Sequence, residues 1–188
     1  MDKRGIRNIS LERAEILKSR IKDYSDKKEL IRTGFNREDE IQENKKRIMS
    51  ILGATNKEWD DWKWQVNNRI SDIEILKRIL NISEEESIQI KSIGKKYRWA
   101  ISPYYASLMD SNDANCPIRR QAIPSIEEMV EAGEKDPMGE EYTSPVEGIT
   151  RRYPDRLIIK VTNQCAMYCR HCQRRRCIGQ QDLHLPQE

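Results

Sequence analysis

Three cysteines within eight residues are the most informative feature of the chain. Cys165, Cys169 and Cys172 have the spacing C-x3-C-x2-C, and they follow an apolar run, residues 157–161, that predicts a β-strand. Three thiolates on one short loop can bind three corners of a four-iron, four-sulfur cube. A fourth protein ligand at matching spacing would close the cube, so three ligands leave one iron open for a small molecule. The sequence therefore predicts a [4Fe-4S] site with an open iron.

A structural zinc site is the alternative, with Cys177 or His171 as its fourth ligand. Structural zinc sites usually have two separated ligand pairs, whereas these cysteines share one loop and the sequence contains no second pair. The spacing therefore favours the cluster. Three roles stay open for Cys177: a fourth ligand, a spectator thiol that binds nothing, or a vestige of a former ligand. Cys116 is isolated, and we expect it to act as a small buried hydrophobe.

The elements that must position these cysteines differ along the chain. Helical periodicity predicts a mainly helical domain over residues 1–133. Proline and glycine punctuate residues 134–156, which indicates an extended connector. The strand at 157–161 is the first convincing one, and the cysteine loop, which we define as residues 162–174, follows it. A helix is expected to begin within residues 173–178.

Local signals mark several helix starts. Apolar residues at helical spacing predict a helix over residues 10–24, and Asn36 is expected to cap the next helix. Three runs read as capping boxes, namely residues 71–74, 83–86 and 125–128. We expect the glutamates at 84–86 to serve as cap and solvent-exposed charges. The tryptophans are expected to pack in the core: Trp59, Trp62, Trp64 and Trp99.

Composition restricts the class of protein. The chain has 188 residues with 34 basic and 31 acidic side chains, a net charge of +3 that by itself gives no reason to expect nucleic-acid binding. Four of its five cysteines lie between residues 165 and 177, unlike the dispersed cysteines of a disulfide framework. No apolar run approaches a membrane span and no signal peptide is evident. We therefore expect a cytoplasmic protein with reduced thiols.

The stretch from Tyr153 to Arg176 resembles the radical S-adenosylmethionine (SAM) enzymes, and among them the amino-acid 2,3-aminomutases. The likeness is greatest to the glutamate 2,3-aminomutases, with the lysine 2,3-aminomutases next. Four upstream runs are similar to the same family: residues 59–65, 102–110, 116–124 and 136–140.

This resemblance implies an α/β fold. A mainly helical amino-terminal domain would lead into the first strand and cysteine loop, residues 157–188, of an incomplete radical SAM (β/α) barrel. The resemblance further implies an isomerase that moves an amino group from C2 to C3 of an amino acid, using a [4Fe-4S] cluster, SAM and pyridoxal phosphate (PLP). Its partners would be an amino acid substrate and an electron donor, with a homo-oligomer in the full-length parent and neither nucleic acid nor membrane. The chain would be a truncated form, inactive alone.

The resemblance also suggests roles for single residues. His171 would lie near the SAM adenine, Arg174 would bind the substrate α-carboxylate, and Arg152 and Tyr153 would lie near PLP. No catalytic residue falls in this stretch, because the PLP-binding lysine of the family lies downstream. The alternatives to these roles are that His171 is a surface histidine and that the arginines form a solvated or nucleic-acid-binding patch. A function of another class is a non-catalytic interaction fragment that binds zinc or a cluster.

Overall fold

Helices dominate the chain up to residue 130, and a β-hairpin precedes the cysteine loop. The computed structural model describes residues 3–130 and 132–183, and the contacts divide the chain into a unit up to residue 39 and a unit from residue 40. The elements are α1 (Lys3–Arg20), α2 (Lys22–Lys27), α3 (Glu38–Leu52), α4 (Asn56–Trp59), α5 (Trp62–Asn67), α6 (Ile73–Ile79), α7 (Glu84–Lys96), α8 (Pro103–Ser107), α9 (Pro117–Ala122), β1 (Ile149–Tyr153) and β2 (Arg156–Ile159). Short 3₁₀ helices occur at Lys28–Leu30, Phe35–Arg37, Ile126–Met129, Glu140–Thr143 and Arg175–Cys177.

The first unit differs from its predicted form. The helix expected over residues 10–24 is interrupted at Ile21, where α1 gives way to α2. No described residue of either helix is buried, and apolar side chains such as Leu17 are exposed. Asn36 does not cap a following α-helix, because it lies inside a 3₁₀ turn and its Oδ1 accepts a hydrogen bond from the Thr33 amide at 2.7 Å.

The second unit contains the hydrophobic core. The amphipathic helices α3, α6 and α7 contribute fully buried side chains, among them Ile48, Leu76 and Ile90. Trp59 and Trp99 are buried and Trp64 packs against the core, but Trp62 is 69% exposed, so the expected burial is wrong for that tryptophan. Cys116 is buried as expected, at 3% exposure.

Helix caps in this unit follow the sequence signals with one displacement. The cap expected at Ser71 is provided by Asp72, whose Oδ1 accepts from the amides of Glu74 at 2.6 Å and Ile75 at 3.2 Å. Ser83 caps α7 as expected. The capping box expected at Ser125 is complete, but the helix that it begins is a 3₁₀ helix and not an α-helix.

Replacing Asp72 by Ala should lower the free energy of unfolding by about 1 kcal/mol, because two amides at the start of α6 lose their acceptor. Urea titration followed by circular dichroism measures the change. Asp155→Ala is the matched control, since that exposed carboxylate lies outside any helix start and bonds only its neighbour Arg156 in the hairpin. Equal midpoints for the two variants would contradict the capping role.

The hairpin replaces part of the predicted connector. Strand β2 starts one residue before the predicted strand and pairs antiparallel with β1, with Ile149 opposite Ile159 and Thr150 opposite Ile158. The expectation of a single strand is therefore wrong, because β1 and a 3₁₀ helix lie within residues 134–156. All four residues of β2 are exposed.

Backbone bridges attach the cysteine loop to the core. Ile101, which is fully buried, forms antiparallel bridges with Ile70 on one side and with Met167 of the cysteine loop on the other. The loop is bonded there on both sides of Met167, from the Ser102 amide to the Ala166 carbonyl at 2.9 Å and from the Tyr168 amide to the Ala100 carbonyl at 3.1 Å. After the loop, the expected helix is only the 3₁₀ turn Arg175–Cys177. Within the described ranges, none of the helices has the length and apolar character needed to cross a membrane.

Candidate functional site

The three cysteines lie on one loop as free thiols. Cys165 is exposed, whereas Cys169 and Cys172 are half-buried, and the Cys172 amide donates to the Cys169 carbonyl at 3.2 Å. Partial desolvation raises the pKa of the Cys165 thiol, and negative charge on Cys172 and Cys169 raises it further. Negative charge on the two other cysteines therefore disfavours the Cys165 thiolate, and a bound cation would relieve that effect.

The donor set fits an iron-sulfur cluster. Thiolates are the preferred ligands of such clusters, and each thiolate binds a different iron, so the sulfurs need not converge on one point. In residues 3–130 and 132–183, no three His, Cys, Asp or Glu side chains are arranged to hold a single metal ion. A mononuclear site would require its ligands at about 2.0–2.3 Å from the metal. The thiols of Cys165, Cys169 and Cys172 would bind the cluster.

A network of charged groups surrounds Tyr168, which lies between two of the cysteines and is only 1% exposed. The guanidinium carbons of Arg98 and Arg69 are 4.4 Å and 5.5 Å from the centroid of its ring. Its hydroxyl donates to Asp182 at 2.7 Å. Arg69 also donates to the Cys165 carbonyl at 2.7 Å.

A second ionic cluster fixes the middle of the cysteine loop. Arg170 donates through Nε and Nη2 to both oxygens of Glu128, at 2.8 Å and 2.6 Å, and Arg175 donates to the same carboxylate. Burial alone would raise the pKa of Glu128, but the hydrogen bonds and charge of Arg170 outweigh it and hold that pKa below its usual range. The Arg170 amide also bonds the Gln121 carbonyl at 2.8 Å.

Residues 136–140 bring together arginines that are far apart in sequence. Arg152 of β1 donates to the Met138 carbonyl at 2.8 Å, and Arg176 lies 3.0 Å from a carboxylate oxygen of Asp136. Arg174 donates to Glu140 through Nε at 3.1 Å and Nη2 at 2.7 Å. The arginines of the cysteine loop are thus paired with acids and partly buried, rather than forming a solvated basic face.

The Arg174–Glu140 pair leaves part of the guanidinium unused by Glu140. A guanidinium has five N–H donors, and Glu140 uses one edge of the fork. Glu140 is 4% exposed, whereas the Arg174 side chain is 40% exposed. The hydrogen bonds to Glu140 raise the pKa of Arg174, so its positive charge is secure. The Nη1 edge can therefore donate hydrogen bonds to a second carboxylate that comes from outside.

The remaining predicted residues lie at the surface. His171 is exposed on the rim of a cavity of about 780 Å³, beside Arg170, Arg120 and Glu127. Tyr153 is 56% exposed at the end of β1, with the Arg156 guanidinium 5.4 Å from its ring centroid. Cys177 lies in the 3₁₀ turn after the loop and is half-buried.

Comparison with known proteins identifies close sequence relatives. No family model matches the chain. It is 55% identical to the glutamate 2,3-aminomutase of Clostridioides difficile over 177 residues, 94% of the chain and 42% of that relative. It is 48% identical to the L-lysine 2,3-aminomutases of Fusobacterium nucleatum over 137 residues and of Clostridium subterminale over 133 residues, 72% and 70% of the chain and 32% of each relative.

The chain is a relative of the amino-acid 2,3-aminomutases. The resemblance to the 2,3-aminomutases predicted from the cysteine motif and its flanking runs is confirmed by these identities. The chain spans less than half the length of the aminomutases that it matches.

Sequence reasoning missed the residues that fix the cysteine loop of this aminomutase relative. Asp182, Arg69 and Arg98 stand in no motif, and no signal in a single sequence pairs residues so far apart. Two others had a signal that was read differently. Glu128 was identified only as the last residue of a capping box, and Glu140 only as the end of a family-like run.

Glu128→Gln should lower the free energy of unfolding by about 1–2 kcal/mol at neutral pH, because charge-assisted hydrogen bonds from Arg170 and Arg175 become neutral ones. The folded-state pKa of Glu128 is depressed, so its contribution is present above the unfolded pKa and is lost as pH falls through the folded value. Urea unfolding of both proteins from pH 7 downward measures this. A stability difference that stays constant into acid would contradict the ionic origin.

Proposed function

We propose that this chain provides the cluster-bearing part of a radical SAM, PLP-dependent 2,3-aminomutase that moves the amino group of glutamate from C2 to C3. The observation that supports this most is the C-x3-C-x2-C loop, held by the Arg69 hydrogen bond at Cys165 and the Arg170–Glu128 ion pair, in a chain 55% identical to a glutamate 2,3-aminomutase. When bound, the cluster and SAM supply the radical chemistry and PLP carries the migrating amino group, while the protein positions them.

The cysteine loop is proposed to be the start of the barrel. Strand β2 leads into it, and the exposed side chains on that strand, such as Leu157 and Ile159, are the kind of surface that further strands would cover. The hairpin pairing with β1 is antiparallel. Because β1 already pairs with one edge of β2, a parallel strand of the proposed barrel would have to pair with the other edge.

The roles of the polar residues follow from their placement. Arg174 would bind the α-carboxylate through its Nη1 edge, because Glu140 already fixes the other edge. Arg152 is tied to the same segment, residues 136–140, and with Tyr153 would border the PLP group. His171, exposed next to Cys172, would lie against the SAM adenine. None of these residues is assigned a proton transfer.

We propose glutamate as the substrate because the match to the glutamate 2,3-aminomutase extends over more of this chain. The match to the glutamate 2,3-aminomutase covers 94% of the chain, against 72% or less for the lysine 2,3-aminomutases cited above. Lysine is the alternative substrate, and grafts of this chain into one relative of each kind separate the two.

The test is a chimera in which this chain replaces the matching residues of the C. difficile enzyme. The graft is purified without oxygen and given SAM, PLP, a chemical reductant and glutamate, and β-glutamate is measured. We expect turnover by the chimera and none by the chain alone, because the chain spans only 42% of that relative. A second chimera, in the L-lysine 2,3-aminomutase of Clostridium subterminale, is assayed with lysine for β-lysine.

Three outcomes would contradict the proposal. Failure of both cluster-containing chimeras to form a β-amino acid would exclude the aminomutase role, and turnover only in the lysine 2,3-aminomutase host would exclude glutamate. Stoichiometric zinc without sulfide in the purified chain would favour the non-catalytic zinc-binding fragment. The Cys165→Ala chimera is the control for background chemistry.

A further inference from the structure

One carboxylate collects hydrogen bonds from four side chains beside the cysteine loop. Asp182 accepts from Arg98 Nη2 at 2.6 Å, from the Tyr168 hydroxyl at 2.7 Å and from Gln164 Nε2 at 2.8 Å, and it also accepts from Arg69 Nη2. We name these five residues the Asp182 network. Its members come from three separate parts of the sequence, so it connects the loop to the helical core.

The network reaches the backbone of Cys165 and the side chain of the residue before Cys169. Arg69 Nη1 donates to the carbonyl oxygen of Cys165 at 2.7 Å and to the Tyr168 hydroxyl at 3.0 Å. Its Nε donates to the Val66 carbonyl at 2.8 Å, so all three of its nitrogens are bonded, and its side chain is 10% exposed. Tyr168 precedes Cys169 directly. The Arg69 guanidinium therefore holds the loop at two points, Cys165 and Tyr168.

A single asparagine places the carboxylate. Asn163 Nδ2 donates to the carbonyls of Ile178 at 2.7 Å and Gln181 at 3.0 Å, while its Oδ1 accepts from the Leu183 amide at 2.7 Å. The chain after the cysteines is thus folded back onto the residue that precedes Gln164. This return brings Asp182 to the arginines.

Asp182 supplies the negative charge that offsets the positive charges of Arg69 and Arg98. Burial by itself would raise the pKa of Asp182, but hydrogen bonds from Tyr168, Arg69, Gln164 and Arg98 outweigh it, and the pKa lies well below its usual range. The two guanidiniums share this one carboxylate. Without it, both arginines would lie partly buried next to each other, and their repulsion would favour moving Arg69 away from Cys165.

We propose that Asp182 is a positioning residue for the iron-sulfur cluster. Acting through Arg69 and Tyr168, it fixes the loop backbone at Cys165 and Cys169 before any iron is bound. This inference rests on the proposed cluster site, but it concerns contacts that exist in the chain itself. Groups that orient metal ligands from behind typically change metal affinity by about 10–100-fold when they are removed.

The first measurement needs no cluster. Amide hydrogen exchange of the metal-free chain, read by mass spectrometry, reports the bonds that join Ser102 to Ala166 and Tyr168 to Ala100. In Asp182→Asn we expect exchange over residues 164–172 to be at least about tenfold faster, with α6 and α7 unchanged. Asp155→Asn, an exposed hairpin carboxylate, is the matched control. Equal exchange in Asp182→Asn and wild type would overturn the proposal.

The second measurement uses the anaerobically reconstituted chain. Iron, sulfide and the electron paramagnetic resonance spectrum of the reduced cluster are recorded, and loss of iron to a chelator is timed. We expect Asp182→Asn to lose iron about 10–100-fold faster with an altered spectrum, and Tyr168→Phe to show a smaller change in the same direction. Wild-type kinetics and spectrum in Asp182→Asn would refute positioning. A wild-type chain that binds no iron or sulfide would refute the proposed function, while the exchange result would still decide the positioning of the loop.

Discussion

Replacing Cys169 by Ala should abolish the iron-sulfur cluster, with iron and sulfide falling to background after anaerobic reconstitution. Each of the three loop thiols would bind a different iron, so loss of one leaves two ligands on a loop whose backbone is otherwise fixed. The same result is expected for Cys165→Ala and Cys172→Ala. The measurements are iron, sulfide and the visible spectrum per chain.

Cys177→Ala is the matched control. That half-buried thiol lies in the 3₁₀ turn Arg175–Cys177, beyond the loop, and we expect its replacement to leave the cluster content unchanged. Complete loss of the cluster in Cys177→Ala would indicate four-cysteine ligation with no open iron. SAM could not then bind at the cluster as proposed.

Arg174→Lys should lower kcat/KM of the active chimera by about 10²-fold or more. An ammonium keeps the charge but lacks the planar fork, so it cannot bind Glu140 on one edge and a substrate carboxylate on the other. Small misplacement of a substrate at a reacting centre is costly, since much of the rate depends on fixed geometry. Cluster content should stay normal because no thiolate is changed.

Two further variants make the Arg174 result interpretable. Arg78→Lys changes an exposed arginine of α6 that has no role in the proposed site, and we expect near-normal turnover. Arg175→Lys tests the neighbour, whose guanidinium bonds Glu128 and lies 4.4 Å from the ring centroid of Tyr97. Near-normal turnover in Arg174→Lys together with failure of Arg175→Lys would transfer the carboxylate role to Arg175.

Local chemistry explains what the sequence predicted well. The spacing of Cys165, Cys169 and Cys172 depends on neighbours along the chain, and so do the caps at Ser83 and Ser125. Each signal lies within a few residues of its effect. The resemblance to the 2,3-aminomutases was likewise predicted from contiguous runs, and the sequence identity confirms it.

The rest depends on contacts between distant residues. The capping role of Glu128 was predicted from Ser125, but its pairing with Arg170 joins positions 42 residues apart. The residues expected to form an extended connector instead pair with the next strand, because Ile149 and Ile159 come together across the turn. The exposure of Trp62 has the same origin, since helical spacing shows which residues share a face and not whether that face is covered.

The separation between Arg69 and Asp182, 113 residues, has a consequence for the biogenesis of the protein. A contact this distant forms late, because closing a long segment costs chain entropy that only a preformed core repays. During synthesis the cysteines emerge before the carboxylate that secures their backbone. On the proposed positioning role, the loop would then pass through a stage in which it is attached to the core at Met167 but lacks the Asp182 contacts, and a cluster would be bound most firmly after residue 182 has been translated.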